Sequence, residues 1–258
     1  MSIEADPVPL VPFGGVELPL DRLAPHFLFV GASDSGKTLS IRMLMQAALQ
    51  SSDGRLATRA IIYDGKRELY PVLIGMGFRP EDIKILCATD SRSVAWDMAR
   101  DIHQIEHAKS VARNLIPAPE KYSSSSGKFF DMTAAGILGA IMMNLHRTRP
   151  GNWRLSDVVR IIRSTDETGN LLRKYRDTEQ LYRDFLTGDP RTVDNIKATL
   201  TAEFTLKYES IAPLWDRTSE SVSLRHWCVD TAPSILLIAP DPTVRSIDAP
   251  NMAMFEFL

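Results

Sequence analysis

The sequence predicts an α/β protein, a mostly parallel sheet covered by helices, with a block of helices inserted into it. Three observations carry this. An apolar run, His26–Val30, ends at a glycine turn and passes directly into helical spacing from Lys37. Strand-like and helical runs then alternate, which implies right-handed crossovers between parallel strands. From about Arg100 to Leu214, apolar residues recur at helical spacing with almost no strand-like run between them.

Taken in order, residues 1–24 carry four prolines and the pair Gly14-Gly15, which suits an extended arm better than a helix or central strand. His26–Val30 reads as a buried strand and KTLSIRMLMQAAL as the helix after it. Ala60–Tyr63 is a second strand candidate, closed by Asp64-Gly65, and Arg67–Gly75 a short helix before the breakers Gly77 and Pro80. Ile83–Cys87 is a third strand.

In the helical block, Phe129–Leu145 is apolar nearly all round and therefore predicts a central buried helix. Further helices are expected over Leu155–Ile162, Gly169–Tyr175, Glu179–Leu186 and Arg191–Phe204, with Lys121–Lys128 a serine-rich loop. Ser234–Ala239 restores the strand signature and should rejoin the sheet. The final segment, Ala249–Leu258, has helical spacing and stops without a cap, as though the chain ended within its architecture. The divisions that follow are an N-terminal arm at 1–24, a first part of the core at 25–100, a helical insertion at 101–215 and the returning core at 216–258.

Composition narrows the function classes. At 258 residues with 44% apolar and 24% charged residues, the chain can bury a full core and lacks the signature of a disordered segment. A formal net charge of −2 argues against a uniformly basic nucleic-acid coat, so such contacts would need a local patch. Cys87 and Cys228 stand far apart without metal-ligand spacing, which fits free thiols in a reducing cytoplasm. No positively charged stretch leads into an apolar run at the N-terminus, and no uninterrupted apolar run reaches the roughly eighteen residues of a membrane span. Work at a membrane would require a partner to hold the chain there.

The most specific motif is Gly31-Ala32-Ser33-Asp34-Ser35-Gly36-Lys37-Thr38, which satisfies GxxxxGK[ST] between a predicted strand and a predicted helix. Gly31 and Gly36 allow turns that direct successive backbone N–H groups at phosphate oxygens, and the new helix adds free N–H donors and the positive end of its dipole. Lys37 would reach the β and γ phosphates, and the Thr38 hydroxyl would ligate Mg²⁺. No NKxD-type guanine reader is present, so ATP with Mg²⁺ is the expected ligand.

The acids are less decisive. Asp64 ends a buried run, where it could hold Mg²⁺ through water or simply form an Asp-Gly turn, and both readings stay open. Glu68 suits a helix N-terminus. A hydrolase usually ends a strand in Asp-Glu, and the nearest such pair, Asp166-Glu167, reads instead as a solvated helix cap. Between His146 and Tyr182, Arg147, Arg149, Arg154, Arg160, Arg163, Arg173, Lys174 and Arg176 alternate with Trp153, Tyr175 and Tyr182. Such a stretch could follow a nucleic-acid backbone, offer an arginine to a neighbouring subunit, or be a solvated helical face. His103 and His107 formally make an H-x-x-E-H pattern, but no third ligand can be named, so a chance pairing is expected.

In order along the chain, HFLFVGASDSGKT, IIYDGKRELY, ILCATDSRSVAWDM and KFFDMTAAGIL resemble the type IV secretion coupling proteins, the DNA-pumping ATPases of conjugation. That family carries Asp-Pro-Lys-Gly-Glu-Leu-Tyr at its second strand. Here Asp64-Gly65-Lys66-Arg67-Glu68-Leu69-Tyr70 differs at two places. The resemblance implies a RecA-like nucleotide core with an inserted all-α domain, a ring of six subunits, and ATP sites between them. It also implies single-stranded DNA or protein as cargo, secretion-apparatus proteins as partners, and a cytoplasmic location peripheral to the inner membrane through those partners. The family's membrane-spanning N-terminal part has no counterpart here, and its Asp-Glu strand lies beyond the last helix seen. An ATPase motor subunit is therefore the first expectation. A small-molecule phosphotransferase and a nonhydrolysing ATP-binding adaptor are the alternatives.

Overall fold

A computed structural model of the chain describes residues 10–19, 27–51, 53–87, 89–116 and 125–239. His26, residues 121–124 of the expected serine-rich loop and the expected final helix at 249–258 lie outside these residues, and 125–128 of that loop are helical instead. The chain divides into two compact units, one from Met1–Lys84 and Thr231–Leu237, the other from Ile85–Asp230 and Ile238–Leu258.

In the first unit, β1 (Leu10–Phe13) and β2 (Val16–Pro19) form an antiparallel hairpin with Phe13 opposite Val16. Gly14 and Gly15, at φ 60° and 85°, make the two-residue turn, whose twist demands positive φ at both positions. The described part of the segment expected as an extended arm, residues 10–19, thus folds back on itself. Val11 is buried, and the Phe13 ring meets Phe29 edge-on at 5.8 Å. Then come α1 (Lys37–Leu49), β3 (Arg59–Tyr63) and α2 (Leu69–Gly75). β4 (Ile83–Leu86) follows a 3₁₀ turn at Pro80–Asp82.

The helical unit opens with β5 (Ala95–Trp96) and α3 (Met98–Asp101). α4 (Ile105–Leu115), α5 (Ser125–Thr148), α6 (Leu155–Arg163), α7 (Thr165–Leu172), α8 (Arg176–Leu186) and α9 (Pro190–Leu200) follow. A π-helical turn at Thr201–Thr205 leads into α10 (Leu206–Tyr208) and α11 (Ala212–Arg217). β6 (Ser221–Val222) then pairs in parallel with β5, before α12 (Leu224–Val229). Two-residue strands carry no periodicity, so neither β5 nor β6 could be expected from the sequence.

Helix α5 is the centre of this unit, where the run Phe129–Leu145 predicts a buried helix. Ala134, Ile137, Leu138, Ile141 and Met142 are fully buried or nearly so, and α4, α7 and α9 pack around the helix. Gly139 faces α4 closely enough that a Cβ there would lie 3.3 Å from the Ala108 carbonyl oxygen. Residues Gly127–Thr148 are long and apolar enough to cross a membrane, yet 67% of the relevant window is buried inside the protein, as in a core helix.

The strand after the helical block, β7 (Ser234–Ile238), takes the middle of a three-stranded sheet ordered β3-β7-β4, which is parallel. Ser234–Ala239 therefore rejoins the sheet as expected. The first expected strand does not form in the described part of His26–Val30. Phe27–Val30 have no strand pairing, and Leu28 and Val30 are 87% and 82% exposed. An apolar run becomes a strand only where a neighbour takes its backbone groups. The described strands of this sheet pair in the order β3-β7-β4, and none of them pairs with this run.

Candidate nucleotide-binding site

The phosphate loop occupies the turn before α1. Two of its residues are left-handed, Asp34 at φ 59° and Gly36 at φ 85°. Gly36 is the residue before the first helical turn, where only glycine adopts that conformation without steric cost. At Gly31 a Cβ would overlap the Ser35 hydroxyl, so the missing side chain is what closes the loop. Helix α1 has no side-chain cap and no acid in its first turn, leaving its N–H groups and dipole uncompensated on the loop side. An anion is the natural complement to such an end.

Lys37 turns back over this loop. Its ammonium donates to the Gly31 carbonyl at 2.8 Å and to the Ala32 carbonyl, with the Ser35 hydroxyl at 3.4 Å. The loop is otherwise held lightly, by Ser35 N–H on the Ala32 carbonyl at 3.4 Å and by Ser40 N–H on the Gly36 carbonyl at 2.9 Å. Ser33 and Thr38 are exposed, Thr38 on the first turn of α1. The structure thus brings Gly31, Ala32, Ser35 and Lys37 into one hydrogen-bonded group.

Asp64 is placed differently. It is 4% exposed, and its carboxylate accepts the N–H of Glu68 at 3.2 Å and of Leu69 at 2.7 Å. Both oxygens therefore serve the start of α2, and neither makes a hydrogen bond to Lys37 or Thr38. This cap, with Arg67 at φ 59°, explains why the helix expected from Arg67 begins only at Leu69. Glu68 stands just before the first turn of α2, and Arg42 of α1 reaches it at 3.7 Å. That link between the phosphate-loop helix and the Asp64 turn has no sequence signature, because only the fold brings positions 42 and 68 together.

The other candidates resolve in the helical unit. Asp166 and Glu167 lie in the first turn of α7, where the Ser164 hydroxyl accepts the Glu167 N–H at 3.3 Å. The arginines are mostly paired with carboxylates. Arg147 holds Asp177 through two bonds of 2.9 and 2.8 Å, Arg149 holds Asp157 at 3.1 Å, and Arg160 and Arg163 pair with Glu167 and Glu209. The Arg147 guanidinium keeps the Asp177 carboxyl below its ordinary range, and that carboxylate raises the arginine in turn. Arg147 also lies over the Tyr175 ring at 4.8 Å, and Arg173 over the Tyr182 ring at 5.2 Å. Most of the basic stretch is thus a helical face laced by ion pairs. The His103 and His107 rings meet edge-on at 4.7 Å, and no group of three or more His, Cys, Asp or Glu among the described residues is placed to hold a metal.

Comparison with known proteins agrees with this geometry. Residues 10–254 match the model of the type IV secretion-system coupling protein DNA-binding domain. Among solved structures, the chain is similar to the unbound bacterial conjugative coupling protein TrwBdeltaN70, with 17% identity and a TM-score of 0.65. That alignment covers 95% of this chain and 53% of the other. Plasmid coupling protein TrwB with the ATP analogue ADPNP, and with ADP and Mg²⁺, both match at 17% identity and a TM-score of 0.64, over 95% of this chain and 54% of theirs. The chain therefore spans about half the length of these structures. A search of curated protein sequences gave no match. The structural likeness shows the fold, a RecA-like P-loop NTPase core with an all-α domain.

Proposed function

Because the chain belongs to the type IV secretion-system coupling protein DNA-binding domain family, we propose that it is the nucleotide-binding part of an ATP-driven motor that moves DNA or protein cargo. The observation that carries this reading is the phosphate loop itself, with left-handed turns at Asp34 and Gly36, the uncapped start of α1, and the Lys37 ammonium drawn over the loop.

These residues fit ATP with Mg²⁺. Gly31 to Thr38 would cradle the phosphates, Lys37 exchanging the Gly31 and Ala32 carbonyls for phosphate oxygens, and the Thr38 hydroxyl would hold Mg²⁺. The TrwB complexes with ADPNP and with ADP and Mg²⁺ support that ligand pair. When bound, Mg²⁺ supplies charge neutralisation between the phosphates. The protein's share is orientation and positive charge: the backbone N–H groups fix the phosphate chain, and Lys37 counters charge building on the transferred group.

The family match and the resemblance of the motifs support a ring of six subunits with sites between them, single-stranded DNA or protein cargo, and secretion-apparatus partners. They also support a cytoplasmic place, peripheral to the inner membrane through those partners. On the same reading, residues 25–100 and 216–258 build the nucleotide core, 101–215 form the inserted helical domain, and 1–24 the arm before it.

One observation favours a second reading. Asp64 is occupied as a helix cap, and no described strand ends in Asp-Glu, so this chain could bind ATP as an adaptor without turning it over. ATP hydrolysis by the purified chain, with and without single-stranded DNA and beside Lys37→Ala, separates the two, with oligomeric mass recorded in the same samples. DNA-stimulated turnover lost in the variant supports the motor. Binding without turnover under every condition overturns it as a complete motor and favours the adaptor.

A further inference from the structure

The π-helical turn at Thr201–Thr205 gives part of the wall of a cavity of about 370 Å³ in the helical unit, through Thr201 and Thr205. Ile162, Tyr182, Leu186, Leu200 and Leu206 supply its apolar surface, from α6, α8, α9 and α10. Leu200 is 4% exposed and Leu206 61% exposed, so the apolar lining reaches from the core of the unit to solvent. That volume lies in the range of small-molecule sites. A π turn is a rare interruption of an α-helix, and such turns occur often at functional sites.

The charged residues of the lining are Arg163, Lys197 and Glu209. Arg163 and Glu209 pair with each other, which uses the one acid present. Lys197 is half-buried in the last turn of α9, and it pairs with no carboxylate among the described residues. The lining is therefore formally at +1, and the charge left over belongs to Lys197. A lysine stem lies readily along apolar surface while its head seeks a polar partner.

A ligand complementary to this cavity has an apolar body and a single negative charge. We propose that the cavity binds a small apolar carboxylic acid, its carboxylate at the Lys197 ammonium and its hydrocarbon part among Tyr182, Leu186, Leu200 and Leu206. A carboxylate suits the place better than a phosphate dianion, which would bring a second charge among apolar side chains without a partner for it. The site lies in the helical unit alone and stands whether or not the phosphate loop turns over ATP.

Isothermal titration of the whole chain with octanoate, octanamide and octylammonium tests the assignment. Octanoate should bind saturably at one site, octanamide about tenfold more weakly, the order expected for one charge-assisted hydrogen bond, and octylammonium not at all. Lys197→Met keeps an apolar stem and removes the charge, so octanoate should fall to the affinity of octanamide while octanamide keeps its own. Octanoate held at the phosphate loop would survive that change, so the variant also fixes the place. Equal affinity for octanoate and octanamide, no saturable binding of octanoate, or unchanged octanoate affinity in a Lys197→Met chain with native thermal unfolding overturns the proposal. N-acetyl-leucyl-leucine binding more tightly than octanoate, with its amide silent, overturns the assignment to a small acid and points to a polypeptide C-terminus. The comparison of octanoate with octanamide uses the unaltered chain, so it decides the question even where the variant fails to fold.

Discussion

Asp101 accepts the Trp96 indole N–H at 2.7 Å, and the same carboxylate takes the Ser223 hydroxyl at 2.6 Å and the N–H groups of Leu224 and Arg225 at 2.9 and 3.2 Å. All four partners are donors, so only an acceptor fits this fully buried position. One side chain thereby joins β5 to the start of α12, about 120 residues further along. Asp101→Asn turns a donor toward those donors and should cost about 2–4 kcal/mol, seen as a lower urea midpoint.

Thr38 gives the sharpest test of metal binding. In Thr38→Ala, nucleotide affinity should fall about tenfold when Mg²⁺ is present and change little in EDTA, since only a lost metal ligand separates the two conditions. Equal losses in both would assign the effect to the loop's shape. Isothermal titration with a nonhydrolysable ATP analogue reads both arms.

Asp64 can be assigned by comparing two substitutions. Both Asp64 oxygens accept N–H groups, so Asp64→Asn keeps one cap and turns its NH2 toward the other donor and should lose about 1 kcal/mol, whereas Asp64→Ala should lose about 2 kcal/mol through the freed N–H groups of both Glu68 and Leu69. If Asp64→Asn also abolishes the Mg²⁺ dependence of nucleotide binding, the residue serves metal and cap together. Thermal unfolding and the same titration measure the two properties.

Gly139 fixes the approach of α4 to α5. Gly139→Val places branched carbons where even a Cβ lies 3.3 Å from the Ala108 carbonyl, and should destabilise by about 1–3 kcal/mol. Gly136, with nothing within 4 Å of an added Cβ, is the matched control. Gly136→Ala should be neutral or slightly stabilising, because alanine favours the helix.

The Arg147–Asp177 pair sets a small pH dependence. The aspartate is depressed in the folded state, so its contribution is present above the unfolded value of about 3.9 and is lost as pH falls through the lower folded value. Both side chains are partly exposed, so the contribution is less than about 1 kcal/mol. Asp177→Asn should therefore lower the unfolding midpoint slightly at pH 7 and match the unaltered chain at pH 2.

Residues that act through local spacing were readable directly. The loop from Gly31 to Thr38 follows from its motif and α5 from its apolar circumference. β7 follows from its β-rich run. What could not be read depends on distant partners. Asp64 is a cap because Glu68 and Leu69 turn back toward it, and the arginines are neutralised by acids up to 62 positions away, as Arg154 is by Asp216. Phe27–Val30 mark the opposite case, in which local spacing favours a strand but the described strands provide no pairing. The cavity lined by Trp96, Trp153 and Trp215 draws on residues from Ala95 to Ser221, a span over which no sequence pattern operates.

Among the described residues β3 has a neighbour on one side only in the three-strand order, and its Ile61 and Tyr63 are 42% and 54% exposed. An edge strand with exposed apolar side chains is a template on which another polypeptide can lengthen a sheet. Under the closed ring proposed above, light scattering should hold one mass over a range of concentrations and change with nucleotide; strand addition at this edge would instead give open-ended, polydisperse assemblies whose mass climbs with concentration.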